Sequence, residues 1–217
     1  MTDLANVGVI GMAVMGSNLA RNLAHHGHRV AIYNRTTAKT DAVMAEHGTE
    51  GDFRPAVDLP EFDCTDQATV ESYGWRGVGA IINAAAYTAV DAAETEQGRR
   101  DCWAINVTGL GRLVEKARAH RIPLVHVSSD YVFDGVAEVH DEDEPLSPLG
   151  VYGQTKAAGE ALVATLPRHW IVRTSWVIGD GANFVRTMAR LADTGVSPSV
   201  VADQYGRLTF ADDLAAG

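Results

Sequence analysis

Cysteine is scarce: Cys64 and Cys102 are the two in 217 residues. Two isolated thiols make neither a disulfide framework nor metal-ligand spacing. No apolar run is long enough to span a bilayer. The start "MTDLANVGVIGM" lacks the basic flank of a secretory signal, so the expected address is the cytoplasm. Positive charge is also short. With 18 Lys and Arg against 28 Asp and Glu, the net charge of −10 argues against nucleic acid or an anionic membrane surface as partner. Internal repeats and low-complexity segments are missing too. What remains is an ordinary globular composition, 46% hydrophobic and 21% charged, with room for one good core and part of a second.

The apolar residues alternate between strand and helix periods. "NVGVIG" (6–11) and "HRVAIYN" (28–34) read as strands around a helix "VMGSNLARNLAHHG" that stops at Gly27. "TAKTDAVMAEHG" (37–48) reads as the next helix, closed by Gly48. "TEGDFRPAVDLPE" is polar, carries two prolines and reads as loop. Further strands are predicted at 77–86, 122–130 and 169–177, and helices at 67–75, 101–120 and 152–166. The expected fold is α/β, a doubly wound and mainly parallel sheet, because parallel neighbours need crossover connections. After Trp176 the alternation weakens. One more helix (182–195) and an extended piece (197–207) precede "TFADDLAAG", a helix that has barely begun. Phe184, Val185, Met188 and Leu191 of the 182–195 helix are expected to lack packing partners.

"GMAVMG" stands between the first strand and the first helix. Gly11 permits a tight turn, Ala13 lets a pyrophosphate approach the backbone, and Gly16 lets helix pack on strand. Val14 and Met15 complete the loop, whose anion would sit at the helix N-terminus. A plain βα turn is the alternative. The second strand runs into "YNRTTAKT". A ribose diol would call for Asp or Glu there, whereas Asn34, Arg35, Thr36 and Lys39 offer donors and positive charge suited to a 2′-phosphate. NADP(H) is the expected cofactor, with NAD(H) as the alternative. From "VGVIGMAVMG" through "YNRTTAKT", and on to about residue 62, the chain closely resembles the NADP-binding start of the 6-phosphogluconate dehydrogenase family. That resemblance places Asn34, Arg35 and Thr36 at the 2′-phosphate. It stops short of the family's catalytic half, so it implies a cofactor but not a chemistry.

A second constellation lies downstream. In "VYGQTKAAGE", Tyr152 and Lys156 are four apart at a helix start and share a face. "HVSSDYVFDG" leaves a strand carrying Ser128 and Ser129. A hydroxyl beside a Tyr/Lys pair suits carbonyl reduction: the hydroxyl holds the carbonyl, and the phenol gives a proton as hydride arrives at carbon. The neighbouring ammonium is expected to lower the phenol pKa from about 10 towards working pH.

"NAAAYTAVDAAE", "INVTG", "VHVSSDYVFDG", "PLSPLGVYGQTKAAGE", "RTSWV", "NFVRTMARL" and "VVADQYG" together resemble the dTDP-4-dehydrorhamnose reductase family of extended short-chain dehydrogenases/reductases, from about residue 63 onward. The resemblance implies that Tyr152 is the proton donor, Lys156 its partner and a ribose contact, and Ser129 the carbonyl hydroxyl. It implies that Ser129, Asp130 and Trp176 meet the nucleotide-sugar, that Ala86, Tyr87 and Thr88 line the cofactor, and that Asp63 and Cys64 meet the adenine. Asn106 could be the backbone-anchored Asn of a proton relay, with packing or capping as the alternative. The expected division is an NAD(P)-binding Rossmann domain at 1–175 and a partial sugar-nucleotide domain at 176–217, in a chimera that the family would continue beyond Gly217.

The expected activity is NADP(H)-dependent reduction of a nucleotide-linked keto-sugar, dTDP-4-dehydrorhamnose to dTDP-rhamnose. The alternatives are a non-catalytic NADP-binding regulatory module and a 6-phosphogluconate dehydrogenase fragment. A nucleotide-sugar substrate is the expected partner, and a homodimer the assembly left open. No metal is expected: His25, His26 and His28 end a helix, where the dipole favours imidazolium, and "HDEDEP" (140–145) reads as a solvated loop. Cys102 and Trp103 read as core.

Overall fold

The computed structural model describes residues 7–12, 14–34, 37–55, 63–179 and 183–216. Its first half runs β1 (Val7–Ile10), α1 (Val14–His25), β2 (Val30–Tyr33), α2 (Thr37–His47), β3 (Phe53–Pro55), α3 (Gln67–Ser72) and β4 (Ile81–Asn83). Then come α4 (Val90–Ala93), α5 (Glu96–Trp103), α6 (Leu110–His120), β5 (Leu124–Ser129), α7 (Val151–Val163) and β6 (His169–Thr174). The chain closes with β7 (Trp176–Ile178), α8 (Phe184–Asp193), β8 (Leu208–Phe210) and α9 (Ala211–Ala216).

Six of these strands form one parallel sheet in the order β3-β2-β1-β4-β5-β6. The strands are short Val/Ile/Leu-rich runs because helices cover both faces. On one face Val9, Val30 and Ile32 pack with Ala20 and Ala24 of α1 and Val43 of α2. On the other, Ile81 and Leu124 pack with Leu110, Leu113 and Val114 of α6 and Val163 of α7. The chain order reverses between β1 and β4, and in such sheets ligands bind at the carboxyl ends of the strands on either side of that switch. Among the described residues, no helix is long and apolar enough to cross a membrane.

Four sequence expectations need correction. Within the stretch read as loop, Phe53–Pro55 is an edge strand paired to β2. Buried Phe53 anchors it, and an edge position tolerates a proline that cannot donate to the ladder. The strand predicted at 77–86 keeps sheet geometry at Ile81–Asn83 alone. The long helix starts earlier, at Glu96, where the Thr95 hydroxyl accepts the Gly98 N–H. It is interrupted by a π-helical turn at Ala104–Gly109. Cys102 is fully buried there, but Trp103 is 40% exposed, because successive residues of a helix point about 100° apart.

The tail divides. Asn183 caps α8 by accepting the Arg186 N–H, yet α8 buries none of its residues; Phe184 and Val185 are half exposed, but Phe184 does find a partner in Trp176 of β7, and Met188 and Leu191 are partly buried. The last segment is not loose. Leu208–Phe210 pairs in parallel with β7, and α9 packs on α1. Ala211, Leu214 and Ala215 face Leu19 of α1 and the sheet residues Val125, Val127 and Val172. A segment far from the glycine loop in sequence thus lies against the helix that follows that loop.

Candidate active site

The glycine loop leaves β1 with Gly11 at φ +98°, a conformation that favours glycine. Its N–H donates to the Tyr33 carbonyl at 2.9 Å. A Cβ at Gly16 would lie 1.7 Å from the Gly11 carbonyl oxygen, so residue 16 must be glycine for α1 to start this close to β1. Asn34 Oδ1 accepts the Met12 N–H at 2.9 Å, tying the end of β2 to the same loop. Its oxygen thus shapes the loop, a role the sequence reading did not assign. Ala13, Arg35 and Thr36 lie outside the described residues, and Val14 and Met15 are described as backbone of the first turn of α1. Lys39 is exposed on the first turn of α2.

The second constellation assembles at the carboxyl end of β5 and the start of α7. Ser129 closes β5 opposite Thr174 of β6. Its hydroxyl donates to Asp130 Oδ1 at 3.1 Å and accepts the Tyr131 N–H at 3.2 Å, capping a 3-10 turn over Asp130–Val132. Tyr152 and Lys156 are both buried on α7. A Cβ at Gly153 would sit 2.2 Å from the Tyr131 carbonyl, so glycine there lets α7 close on this turn. Tyr131 packs edge-on against the Tyr152 ring, centroids 5.5 Å apart. From the other side, Glu94 Oε1 accepts the Val151 N–H at 2.7 Å and caps α7.

The expected lowering of the phenol pKa does not occur in this arrangement. Burial pushes Tyr152 up to about 12, with only the hydrogen bond to Ser129 pulling it back and the Asp130 carboxylate adding to the rise. The reason is where the ammonium points. Lys156 Nζ donates to the Val127 carbonyl at 2.7 Å and sits 3.3 Å from His126 Nε2. Burial in turn lowers Lys156 to about 8, against the raising influence of Glu160 one turn further along α7.

Two residues that sequence reasoning missed lie behind Lys156. His126 and Asn83 are neighbours across β4 and β5, and the Asn83 side-chain amide meets His126 Nδ1 at 3.1 Å. The available signal was a polar residue at an inward position in each of the apolar strands "IIN" and "LVHVSS". Asn106 takes an anchoring role. Its Oδ1 accepts the Tyr87 N–H at 2.8 Å, while its Nδ2 donates to the Tyr87 carbonyl at 3.2 Å and to Thr155 Oγ1 at 3.0 Å. It stands in the π-helical turn, a distortion frequent at functional sites. Through it the loop after β4 is fastened to α7.

The remaining candidates are spread around this centre. Ala86 and Tyr87 are half-buried and Thr88 exposed on the loop after β4, beside the glycine loop, since a Cβ at Gly11 would meet Ala85 at 3.0 Å. The Asp63 carboxylate accepts both the Thr65 N–H and hydroxyl, at 2.8 and 2.6 Å. Cys64 packs against Gly109 of the π-helical turn, and Arg112 holds the Cys64 carbonyl at 3.1 Å. Trp176 starts β7, two residues beyond Thr174. Gly206 lies against its indole, and the Phe184 ring stands 5.8 Å away.

A dinucleotide fits these residues. The backbone of the glycine loop is bare of side chains at Gly11 and Gly16, and α1 begins within it, at Val14. Among the described residues, the buried hydroxyls of Ser128, Thr174 and Ser175 have no hydrogen-bond partner, and all three lie at the carboxyl ends of β5 and β6, as Ser129 does. Orphan polar atoms in a buried site call for a polar occupant. A Cβ at position 16 has no room, so Gly16→Ala is expected to strain the loop by about 1–3 kcal/mol, roughly ten- to a hundredfold in dinucleotide affinity. Fluorescence titration of the purified variant checks this, and unchanged affinity would overturn the placement.

A 3-2-1-4-5-6 parallel sheet, a glycine turn after β1 and a Ser/Tyr/Lys group at the end of β5 define a Rossmann-type fold of the short-chain dehydrogenase/reductase kind. The profile of the RmlD substrate binding domain family matches residues 7–217, and the chain belongs to that family. It is 43% identical over 171 residues to the dTDP-4-dehydrorhamnose reductase of Sinorhizobium fredii, covering 75% of this chain and 57% of that protein. With the reductase of the same name from Salmonella typhimurium the identity is 46% over 138 residues, 62% of this chain and 46% of that one. A solved dTDP-4-dehydrorhamnose reductase of Bacillus anthracis, in complex with NADP, superposes with a TM-score of 0.80 at 31% identity, covering 98% of this chain and 68% of that chain. The chain spans about half the length of the curated relatives it matches.

Proposed function

We propose that this chain is the NADP(H)-binding and catalytic portion of a reductase that converts the 4-keto group of a deoxythymidine-diphosphate sugar, dTDP-4-dehydrorhamnose, to the alcohol of dTDP-rhamnose. The observation that carries this reading is that Ser129 at the carboxyl end of β5, Tyr152 and Lys156 are all buried together, the last two one turn apart on α7. Bound NADPH would supply hydride to the carbonyl carbon. Tyr152 holds the proton for the carbonyl oxygen at Oη, and its pKa of about 12 keeps that proton in place at neutral pH. Turned from Asp130 towards Tyr152, the Ser129 hydroxyl would stabilise the phenolate left behind, because a hydroxyl donor favours the charged form. Lys156, lowered by burial to about 8, still brings an ammonium at neutral pH. The Asn106 clamp on Tyr87 and Thr155 holds the cofactor-side loop and α7 at fixed distance. Asp130 and Trp176 border the side where the nucleotide-sugar would sit, and Ala86, Tyr87, Thr88, Asp63 and Cys64 the side of the cofactor.

The division into 1–175 and 176–217 belongs to this proposal, as does a homodimeric assembly. So does a 6-phosphogluconate dehydrogenase-like origin for residues 1–62, which rests on "GMAVMG" and "YNRT". The test is NADPH absorbance followed with the dTDP-keto-sugar, with NADH in its place, and with 6-phosphogluconate and NADP in parallel. NADPH consumption dependent on the keto-sugar is expected, with NADPH binding at least about tenfold tighter than NADH, as one or two charge-assisted contacts would give. Arg35→Ala should erase that preference selectively. Cofactor binding without turnover would favour the regulatory module, and equal affinities would remove the 2′-phosphate assignment.

A further inference from the structure

Behind Lys156 the structure places two side chains that the proposed reaction does not use, and both are almost wholly buried. Asn83 ends β4, His126 stands beside it in β5, and the chain Asn83–His126–Lys156 continues to the Val127 carbonyl through contacts of 3.1, 3.3 and 2.7 Å. A lysine in a dry interior needs acceptors for its three N–H bonds. The Val127 carbonyl is one. The second atom within reach is His126 Nε2, which accepts only if the imidazole is neutral and carries its proton on Nδ1. Nδ1–H then needs an acceptor: the structure places Asn83 Nδ2 towards the ring, and a half-turn of the amide, whose two ends have the same shape, presents its carbonyl there instead. With Lys156 as a free amine the whole chain reverses: Nε2–H donates to Nζ, and the Asn83 NH2 donates to Nδ1. The imidazole tautomer and the lysine charge are therefore tied together.

Resting on the reductase reading, we infer that His126, oriented by Asn83, is a positioning residue that holds Lys156 as an ammonium and aims it along α7 by accepting one of its protons at Nε2. The ring itself stays neutral, since both burial and the adjacent ammonium hold its pKa well below the ordinary value. The other groups facing Lys156 are Glu160 on its own helix and Cys102 on α5. Neither replaces His126: Glu160 is engaged by Arg173 at 2.8 Å, and the Cys102 Sγ contacts Thr155 at 3.2 Å.

The tautomer can be read without substrate or cofactor. In 15N-histidine NMR, the His126 resonance, assigned by its loss in His126→Gln, should show protonation at Nδ1 from pH 5 to 7. It should change tautomer as the pH passes about 8, where Lys156 titrates. In Lys156→Met that change near pH 8 should disappear. A ring protonated at Nε2 at pH 6, or one that becomes cationic near 6.5, overturns the inference. In turnover, His126→Leu should move the alkaline limb of the kcat profile down by about one pH unit, the effect of one lost hydrogen bond to the charged form. His126→Gln should restore it, because Gln Oε1 reaches where Nε2 stood. His126→Asn should not, because its amide reaches only to Nδ1. Equal profiles for the Gln and Asn variants count against a role at Nε2. The two readings fail separately. Full activity in Tyr152→Phe would remove the catalytic reading and leave the tautomer result standing, whereas an Nε2–H tautomer would remove this inference alone.

Discussion

Tyr152→Phe is expected to cut reductase turnover by on the order of 10²–10⁴-fold, the usual contribution of a positioned general acid. The ring of Phe keeps the edge-on contact with Tyr131, so the packing of α7 on the 3-10 turn survives. What goes is a hydroxyl whose proton burial holds up to a pKa of about 12. Its loss leaves the Ser129 hydroxyl still satisfied by Asp130 and the Tyr131 N–H, so no polar group is stranded and the fold should melt within about 2 °C of wild type. NADPH affinity should likewise hold. Turnover within threefold of wild type, with folding intact, would make Tyr152 a structural residue.

Lys156→Met should have two separable effects, a collapse in turnover and a pH-dependent gain in stability. Burial takes the Lys156 pKa from an ordinary 10.5 to about 8 in the folded chain. Below about pH 8 the folded state carries a buried ammonium that the unfolded state keeps in water, so the penalty is fully present. Between about 8 and 10.5 the folded chain gives up the proton before the unfolded chain does, the unfolded state binds more protons, and wild-type stability rises with pH. The full 2.5-unit difference corresponds to about 3 kcal/mol. Met removes that penalty but also leaves the Val127 carbonyl and His126 Nε2 without a donor, which offsets roughly 1–3 kcal/mol. The absolute change at pH 7 is therefore small. Its pH dependence is not: the stability of the variant relative to wild type should fall by about 3 kcal/mol from pH 7 to pH 10.5. Urea melts across that range read it, and a pH-independent difference would show that Lys156 is better solvated than its surroundings imply.

The βα alternation, the glycine turn after β1 and the Tyr152/Lys156 spacing are local properties, set by residues within a few positions of one another, and each stands where the sequence put it. β3 was missed because a three-residue edge strand with a proline in it has no period to detect, and only its pairing with β2 makes it a strand. The π-helical turn was missed for a related reason: "AINVTG" has ordinary helix composition, and the extra residue per turn accompanies a long-range bond, the Asn106 clamp on Tyr87. α9 looked unfinished from its length, yet its small apolar face found Leu19 and the sheet.

The sequence by itself determined which groups could carry the proposed chemistry: a hydroxyl, a phenol and an ammonium downstream, and a turn after β1 that needs glycine at 11 and 16. The tertiary structure alone decided their electrostatics. Whether an ammonium lowers a phenol's pKa depends on where Nζ points and on how much water is left around both groups. Here His126 and the Val127 carbonyl, brought from β5, take the ammonium, and burial takes the phenol to about 12. Spacing along a helix brings two side chains to one face. Desolvation and hydrogen-bond direction depend on what packs against that face, and those neighbours lie 29 and 30 residues away along the chain.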